Sequence, residues 1–218
     1  MGHRKRLIVY GGVAALLVAW VVAIAVVAAG GDDEGDSDAS GAGATEVFPA
    51  GGEVGPQQHS NLPAAAEAAG CELKDSEGGG TATHTPSLDE KVAYPTNPPT
   101  NGRHYEVPAE DGLYQEAPAD EALVHSLEHG RVIVWVQPTI ARDARATVRA
   151  LFDEDEYQMV VVPRREMAFA AAATAWNRDP TPGGTGRTLG CERWNDAVVD
   201  ALRGFRDVHR SNGPEPIP

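Results

Sequence analysis

Near the start of the chain, 23 consecutive residues, Leu7–Ala29, contain no charged side chain. A helix of this length spans about 34 Å at about 1.5 Å per residue, enough for a bilayer core of about 30 Å. In lipid such a segment satisfies its own backbone hydrogen bonds only as a helix. The run therefore predicts one transmembrane helix that contacts the lipid bilayer through residues 7–29 and separates a short tail from the rest of the chain.

The charges that flank this run predict its orientation. Three cations precede it, and five acids follow it closely: Arg4, Lys5, Arg6, then Asp32, Asp33, Glu34, Asp36, Asp38. Cationic residues resist transfer across a membrane, so residues 1–6 form a cytoplasmic tail and the C-terminal part lies outside the cytoplasm. A cleaved secretory signal ending at Val27–Ala29 is the alternative, although its apolar core is usually only 7–15 residues long. Both interpretations export the rest of the chain.

The exported part divides into a spacer and a domain. Residues 30–46 are dominated by small and acidic side chains, which cannot bury enough apolar surface to offset chain entropy. They predict a flexible acidic spacer, followed by one extracytoplasmic domain over residues 47–218. Without the three cations of the tail, 15 of the 18 Lys+Arg remain against 32 Asp+Glu, a formal charge of −17. Such a surface argues against nucleic acid as a partner.

Two cysteines, Cys71 and Cys191, lie in the exported part. In an oxidising compartment such a pair usually forms a disulfide. The bridge would close a loop of about 120 residues and contribute up to about 4–5 kcal/mol by chain-entropy arithmetic. A redox-active or metal-binding thiol pair is the alternative, but neither cysteine has a CxxC partner. The sequence thus favours a structural disulfide.

Apolar periodicity predicts an α+β domain, with helices packed on a mixed β-sheet. A proline-rich stretch, Thr81–Pro118, is expected to be mostly loop with one short strand at Lys91–Tyr94. Arg131–Gln137 is apolar on both faces, which is typical of a central strand covered on both sides. The remaining predictions are strands at Gln158–Val162 and Met167–Trp176, and helices at Leu62–Ala69, Ala141–Glu154 and Glu192–His209.

Histidines are concentrated in one part of the domain. Four of the seven fall within 46 residues: His84, His104, His125 and His129. His125 and His129 are four residues apart, a spacing that places both rings on one face of a helical turn. Because Gly130 and a strand follow, only about one turn is expected there. His59 and His209 are expected to be surface residues.

These four histidines are candidate metal ligands. Imidazole suits zinc and copper, and with the thiols in a disulfide, zinc(II) or copper(II) is favoured over copper(I). Glu128 is expected to orient a ligand or to bind directly. The alternative without a metal is that the histidines hydrogen-bond backbone carbonyls and fix the proline-rich loops, in a structural or partner-binding module.

An enzyme is a further alternative. His125-x-x-Glu128-His129 matches the inverted zinc-peptidase motif HxxEH, in which the glutamate activates zinc-bound water. It is also similar to the metal motif of S-ribosylhomocysteine lyases. A metal-dependent hydrolase or lyase of the cell envelope would use Glu128 as its base, but nothing else in the chain resembles either family.

Longer motifs carry a family resemblance. The segments YPTNPPTNGRH (94–104), GLY (112–114), VHSLEHG (124–130) and GPEP (213–216) resemble the domain-of-unknown-function family numbered 3105, with its patterns PPTSGPH and VHNLEHG. Members of that family look like bacterial membrane-anchored proteins. The resemblance covers about residues 81–218 and implies a shared histidine site without an established activity. Asn101, Arg103 and Ser126 depart from the patterns without removing a histidine, and Arg103 would disfavour a cation near His104.

Overall fold

The strands with the most apolar residues lie in the middle of a six-stranded sheet. The computed structural model describes residues 46–77, 83–180, 183–215 and 217. These residues form four helices and eight strands: α1 Leu62–Ala69, β1 Glu72–Glu77, β2 His84–Thr85, β3 His104–Tyr105, β4 Gly112–Leu113, α2 Asp120–Glu128, β5 Val132–Val136, α3 Arg142–Glu154, β6 Met159–Pro163, β7 Ala171–Asn177, β8 Thr185–Cys191, α4 Val198–His209. The order in the large sheet is β1-β8-β7-β5-β6-β4, while β2 and β3 pair separately.

The large sheet is mixed, as the sequence predicts. β5 pairs with β6 in parallel and with β7 antiparallel, and β4 extends the parallel side along β6. The antiparallel pairs β7·β8 and β1·β8 complete the other side. The parallel pair β5·β6 is connected by α3, the kind of crossover that parallel neighbours require. The predicted α+β class with packed helices is therefore confirmed.

Both faces of the sheet are covered, because alternate side chains of β5 enter different cores. Val132, Val134 and Val136 pack with the apolar residues of α1, α3 and α4. Ile133 and Trp135 pack on the opposite side with apolar residues of α2. All five side chains are fully buried, which confirms β5 as a central strand covered on both sides.

Two local predictions are wrong. Lys91–Tyr94 forms no strand, because the Val92 amide donates to the Glu121 carboxylate (3.0 Å) instead of pairing with a neighbouring strand. The last helix begins at Val198, not at Glu192, since the Asn195 side chain and carbonyl accept from the amides of Ala197 and Val198 and form a turn.

Cys71 and Cys191 form a disulfide across the edge of the sheet, as predicted. Cys71 directly precedes β1, Cys191 ends β8, and the register of that antiparallel pair places them opposite each other. The Cys71 amide also donates to the Ala66 carbonyl, where Gly70 ends α1. The bridge therefore links the C-terminal end of α1 to the sheet.

None of the helices within residues 46–77, 83–180 and 183–215 is long and apolar enough to cross a membrane. The predicted cytoplasmic tail, transmembrane helix and nearly all of the spacer lie outside the described residues. The described residues belong to one compact unit, Ala44–Pro218.

Candidate metal centre

Helix α2 carries two of the candidate site residues, His125 and Glu128, and His129 follows its last residue. Nine residues, Asp120–Glu128, are helical, about two and a half turns. The expectation of about one turn is wrong, because the helix starts well before the motif, with Asp120 and Glu121 in its first turn. Leu123, Val124 and Leu127 pack towards the sheet. His125 and Glu128, three residues apart, share a helical face that meets the proline-rich segments.

Hydrogen bonds from α2 position these loop segments. The His125 ring contacts the Tyr105 carbonyl, with 2.6 Å between Nδ1 and O. The Ser126 hydroxyl donates to the Ala109 carbonyl at 2.7 Å. The part of the proline-rich stretch from Tyr105 to Ala109 is therefore held on α2, and its polar contacts lie beside the histidines.

The small parallel pair β2·β3 brings two histidines together that are 20 residues apart in the chain. His84 is the direct register partner of His104. The side chain of His104 is fully buried, whereas that of His84 is 45% exposed. One ring therefore faces the interior of the cluster and the other forms its border with solvent.

Three imidazole rings surround a common point. The ring centroids are separated by 4.7 Å (His84–His104), 4.8 Å (His104–His125) and 4.9 Å (His84–His125). Glu128 completes the group: one potential ligand atom from each of these four residues lies within 4.8 Å of all the others. The edge of the Trp176 ring, 5.9 Å from the His104 ring, lies on the sheet side of the cluster. This arrangement can hold a metal ion.

Backbone carbonyls define the tautomers of two of these histidines. His104 Nδ1 lies 2.8 Å from the Gly102 carbonyl oxygen, and His125 Nδ1 lies 2.6 Å from that of Tyr105. A carbonyl can only accept, so each Nδ1 donates its proton. In the neutral ring, Nε2 is then a lone-pair acceptor. Both Nε2 atoms therefore present the form of imidazole that binds metals, with the opposite nitrogen held by a carbonyl, as is common for histidine ligands.

His104 Nε2 and Glu128 Oε2 lie 3.0 Å apart, and both are buried. Neither atom has a hydrogen-bond partner among the described residues. Two acceptors this close and this buried repel each other unless a proton or a cation lies between them. Positive charge between these two atoms would therefore stabilise the cluster.

The pKa shifts describe the same site electrostatically. Burial, together with neighbouring histidines, lowers the pKa of His125 to about 4, against the effect of the Tyr105 carbonyl. Burial alone would raise the pKa of Glu128, but positive charge on the imidazoles, above all a proton on His104 that is donated to Glu128, outweighs burial and lowers it. Near neutral pH, His125 is therefore an unprotonated imidazole and Glu128 an ionised carboxylate, the forms of both that bind metals.

His129, the fourth histidine predicted from the sequence, lies on another side of the cluster. Its Nε2 is 3.0 Å from Nε2 of His125. With Glu128 and Glu215 it forms a second group whose potential ligand atoms lie within 4.8 Å of one another. Glu128 belongs to both groups. Burial and the Arg131 guanidinium lower the pKa of His129, against the opposing effect of Glu128 and Glu215.

Other sequence interpretations are resolved by local contacts. The Arg103 guanidinium is paired with the exposed carboxylate of Glu90, so its charge is compensated. His59, one-third exposed, pairs with the buried carboxylate of Asp200, and His209 bonds to Asn177. Both lie outside the histidine cluster.

The sequence analysis did not predict two residues that lie at the cluster, Glu215 and Trp176. Glu215 lies in the GPEP motif and reaches the cluster because its own amide donates to the Glu128 carbonyl at 3.1 Å. Trp176 flanks His104 from β7, a strand whose apolar pattern gave no indication of a site. GPEP is one of the segments that carry the family resemblance, which was a usable signal for Glu215, whereas Trp176 had none.

Comparisons with known proteins place the chain in a family. Searches of curated proteins and of solved structures give no match. A family model described as "Protein of unknown function (DUF3105)" matches residues 85–217, more than half of the chain. The match includes His104, His125, Glu128 and His129, and it begins one residue after His84. The chain belongs to the DUF3105 family.

Proposed function

We propose that this protein is a membrane-anchored, extracytoplasmic metal-binding protein that holds a zinc or copper(II) ion through His84, His104, His125 and Glu128. The buried pair His104 Nε2 and Glu128 Oε2 carries this proposal: two acceptors face each other at 3.0 Å without hydrogen-bond partners. A cation bound between them would convert their repulsion into coordination. In the alternative without a metal, the histidines only fix loops, and this pair has no explanation unless His104 is protonated.

The donor set favours a borderline metal. Three imidazoles and one carboxylate match zinc(II), which prefers four nitrogen or oxygen ligands in tetrahedral geometry, and they also suit copper(II). Magnesium and calcium prefer oxygen ligands, so a site with three nitrogens disfavours them. The thiols, which would attract softer ions, are joined in the Cys71–Cys191 disulfide.

Glu128 distinguishes binding from hydrolysis. In the HxxEH peptidase pattern both histidines bind the metal and the glutamate stays free as a base. Here Glu128 groups with His84, His104 and His125, whereas His129 lies outside that group. A glutamate that serves as a ligand is not available as a base, so we place metal binding ahead of the hydrolase or lyase alternative.

Metal analysis tests the proposal. The full-length chain, kept in mild detergent because of its apolar run, is stripped with a chelator, reloaded with zinc or copper(II), dialysed and analysed for bound metal. We expect retention of at least one ion per chain in the wild type and in His59→Gln, and loss of the ion from this group in His104→Gln. Retention of no metal by the wild type would show that the histidines are structural.

The proposed location has its own test. An anchor over residues 7–29 with residues 1–6 in the cytoplasm would hold the metal centre outside the cell membrane, beyond a spacer over residues 30–46. Mass spectrometry of the mature protein should detect an N-terminal peptide that precedes Leu7. A mature N-terminus near Gly30 would show that the apolar run is a cleaved signal.

A further inference from the structure

We infer that the centre binds two metal ions, the second held by Glu128, His129 and Glu215, with Glu128 shared between them. This inference rests on the proposed function, because the first ion occupies the group of His84, His104, His125 and Glu128. It assigns a role to His129 and to the GPEP motif, which binding of one ion leaves unexplained. The ion expected at the second site is again a divalent transition metal such as zinc.

The three residues of the second group lie at the C-terminal end of α2, next to the first group. His129 follows the last helical residue of α2 and is 8% exposed, and Glu128 is 2% exposed. Glu215 is exposed and approaches from the C-terminal segment. Each of the three residues has one potential ligand atom within 4.8 Å of the other two. A set of three protein donors leaves a coordination position open, here on the solvent side.

The C-terminal segment is held against the end of α2 by its backbone. The Ser211 amide donates to the Gly130 carbonyl at 2.8 Å, and the Glu215 amide donates to the Glu128 carbonyl at 3.1 Å. Gly213 allows this close approach, since a Cβ there would lie 2.2 Å from the Glu128 carbonyl oxygen and 2.3 Å from the Gly130 amide nitrogen. The segment therefore keeps the Glu215 side chain close to His129.

One shared residue and one short distance connect the groups in the manner of a two-metal site. Glu128 is the only residue common to both groups among those the structure describes. His125 Nε2 and His129 Nε2, one from each side, are 3.0 Å apart. Two-metal sites place their ions about 3.5–4 Å apart, a separation that a bridging carboxylate spans. Such a site requires neighbouring ligand atoms that bind separate ions.

The electrostatics favour cations at this position. The helix dipole gives the C-terminal end of α2 partial negative charge, and two carboxylates add to it. Arg131 is the nearby cation that opposes metal binding, but its guanidinium is engaged by the Asp111 carboxylate (3.0 Å) and the Ile217 carbonyl (2.6 Å). The local charge that remains is negative.

Zinc stoichiometry distinguishes the possibilities. The full-length chain, stripped and titrated with zinc alone, should bind two ions in the wild type and in the exposed-residue control Glu116→Gln. Glu215→Gln and His129→Gln should bind one ion with the wild-type affinity and lose the second or weaken it by at least about 10-fold. One ion in the wild type, unaffected by Glu215→Gln, would overturn the second site while leaving the proposed function intact. No ion would overturn both.

Copper(II) tests whether the two sites are adjacent. Two copper ions about 4 Å apart are magnetically coupled, so the electron paramagnetic resonance spectrum of the doubly loaded protein should contain a half-field signal. In Glu215→Gln that signal should disappear, and the spectrum of one isolated ion should remain. Two uncoupled copper signals in the wild type would contradict a shared Glu128.

Discussion

His84 and His104 are register partners across the parallel pair β2·β3, and their rings stand perpendicular with centroids 4.7 Å apart. A two-stranded, two-residue ladder is too small to be stable alone. Here it is held by contacts with α2 and aligns one exposed and one buried imidazole. The unequal burial of the two rings leads to a difference that can be measured.

His104→Gln should weaken metal binding more than His84→Gln. His104 is fully buried with its Nδ1 bonded to Gly102, so its Nε2 is preorganised, whereas water can replace the exposed His84 ring. We expect losses of at least about 100-fold and about 10-fold in zinc affinity. Competition titration against a chromophoric chelator measures both. Equal losses would contradict the assigned difference in preorganisation.

Glu128→Gln should separate metal binding from stability. In the metal-free protein, the new amide can donate to His104 Nε2 and remove the contact between two acceptors. We therefore expect the free energy of unfolding to stay within about 1 kcal/mol of the wild type or to increase, while zinc affinity falls. Urea denaturation in the presence of a chelator measures the stability. A loss of several kcal/mol would instead indicate a buried ion pair with protonated His104.

Lowering the pH from about 6.5 to 4 should destabilise the metal-free protein, through histidines that are unprotonated in the folded state. Burial lowers the pKa of His125 and of His209 to about 4, with further lowering by neighbouring histidines and by Arg187, respectively. In the unfolded chain both titrate near pH 6.5. Between about pH 6.5 and 4 the unfolded state binds more protons, so the free energy of unfolding falls as pH falls.

Each of these two histidines contributes up to about 1.4 kcal/mol per pH unit to that slope. Urea midpoints measured across the range in chelator should decrease as pH decreases. In His209→Gln the slope should be smaller, because only one of the two groups remains. A stability that is constant from pH 6.5 to 4 would show that these rings are protonated in the folded protein.

Glu154 should matter for stability far from the metal centre. Its carboxylate accepts from Arg203 (2.6 Å) and Arg206 (3.1 Å), whose side chains are only 8% and 4% exposed. The hydrogen bond from Arg203 is the main cause of the lowered pKa of Glu154. Glu154→Gln should leave two buried cations undercompensated and cost about 1–2 kcal/mol, since solvent partly screens the pair.

The matched control is Glu156→Gln, an exposed acid two residues further along. Thermal or urea denaturation should show a clear loss for the first variant and none for the second. The contribution of Glu154 is present at neutral pH and is lost as pH falls through its lowered pKa. Equal stability of the two variants would rule out this ion-pair network as a source of stability.

Sequence patterns predicted the interior of the fold better than its edges. β5 was evident because apolar residues occupy both faces. β1 is almost entirely exposed and polar, and β8 contains glycines that allow close approach of Thr100 and Phe169, so neither strand has an apolar pattern. β1 depends on its pairing with β8, and β8 on its pairing with β7 and β1, which periodicity does not show.

The candidate site residues were predicted from residue type. Which of them group together depends on tertiary structure. Histidine density and HxxEH spacing identified His104, His125 and Glu128 as neighbours in function. That Glu128 groups with three histidines, whereas His129 faces Glu215, follows from how the β2·β3 pair and the C-terminal segment dock on α2. Such docking joins segments that are 20 residues apart at Tyr105 and His125 and more than 80 apart at Glu128 and Glu215, beyond the reach of any local pattern.

The position of the bound metal is the most direct test of the central claim. Crystals of the zinc-loaded protein, measured on both sides of the zinc absorption edge, locate the ion by anomalous scattering. The account predicts a peak about 2.0–2.2 Å from the imidazole nitrogens of His84, His104 and His125 and from a Glu128 oxygen. An anomalous map without a peak between these four residues, in protein that retains zinc, would contradict it.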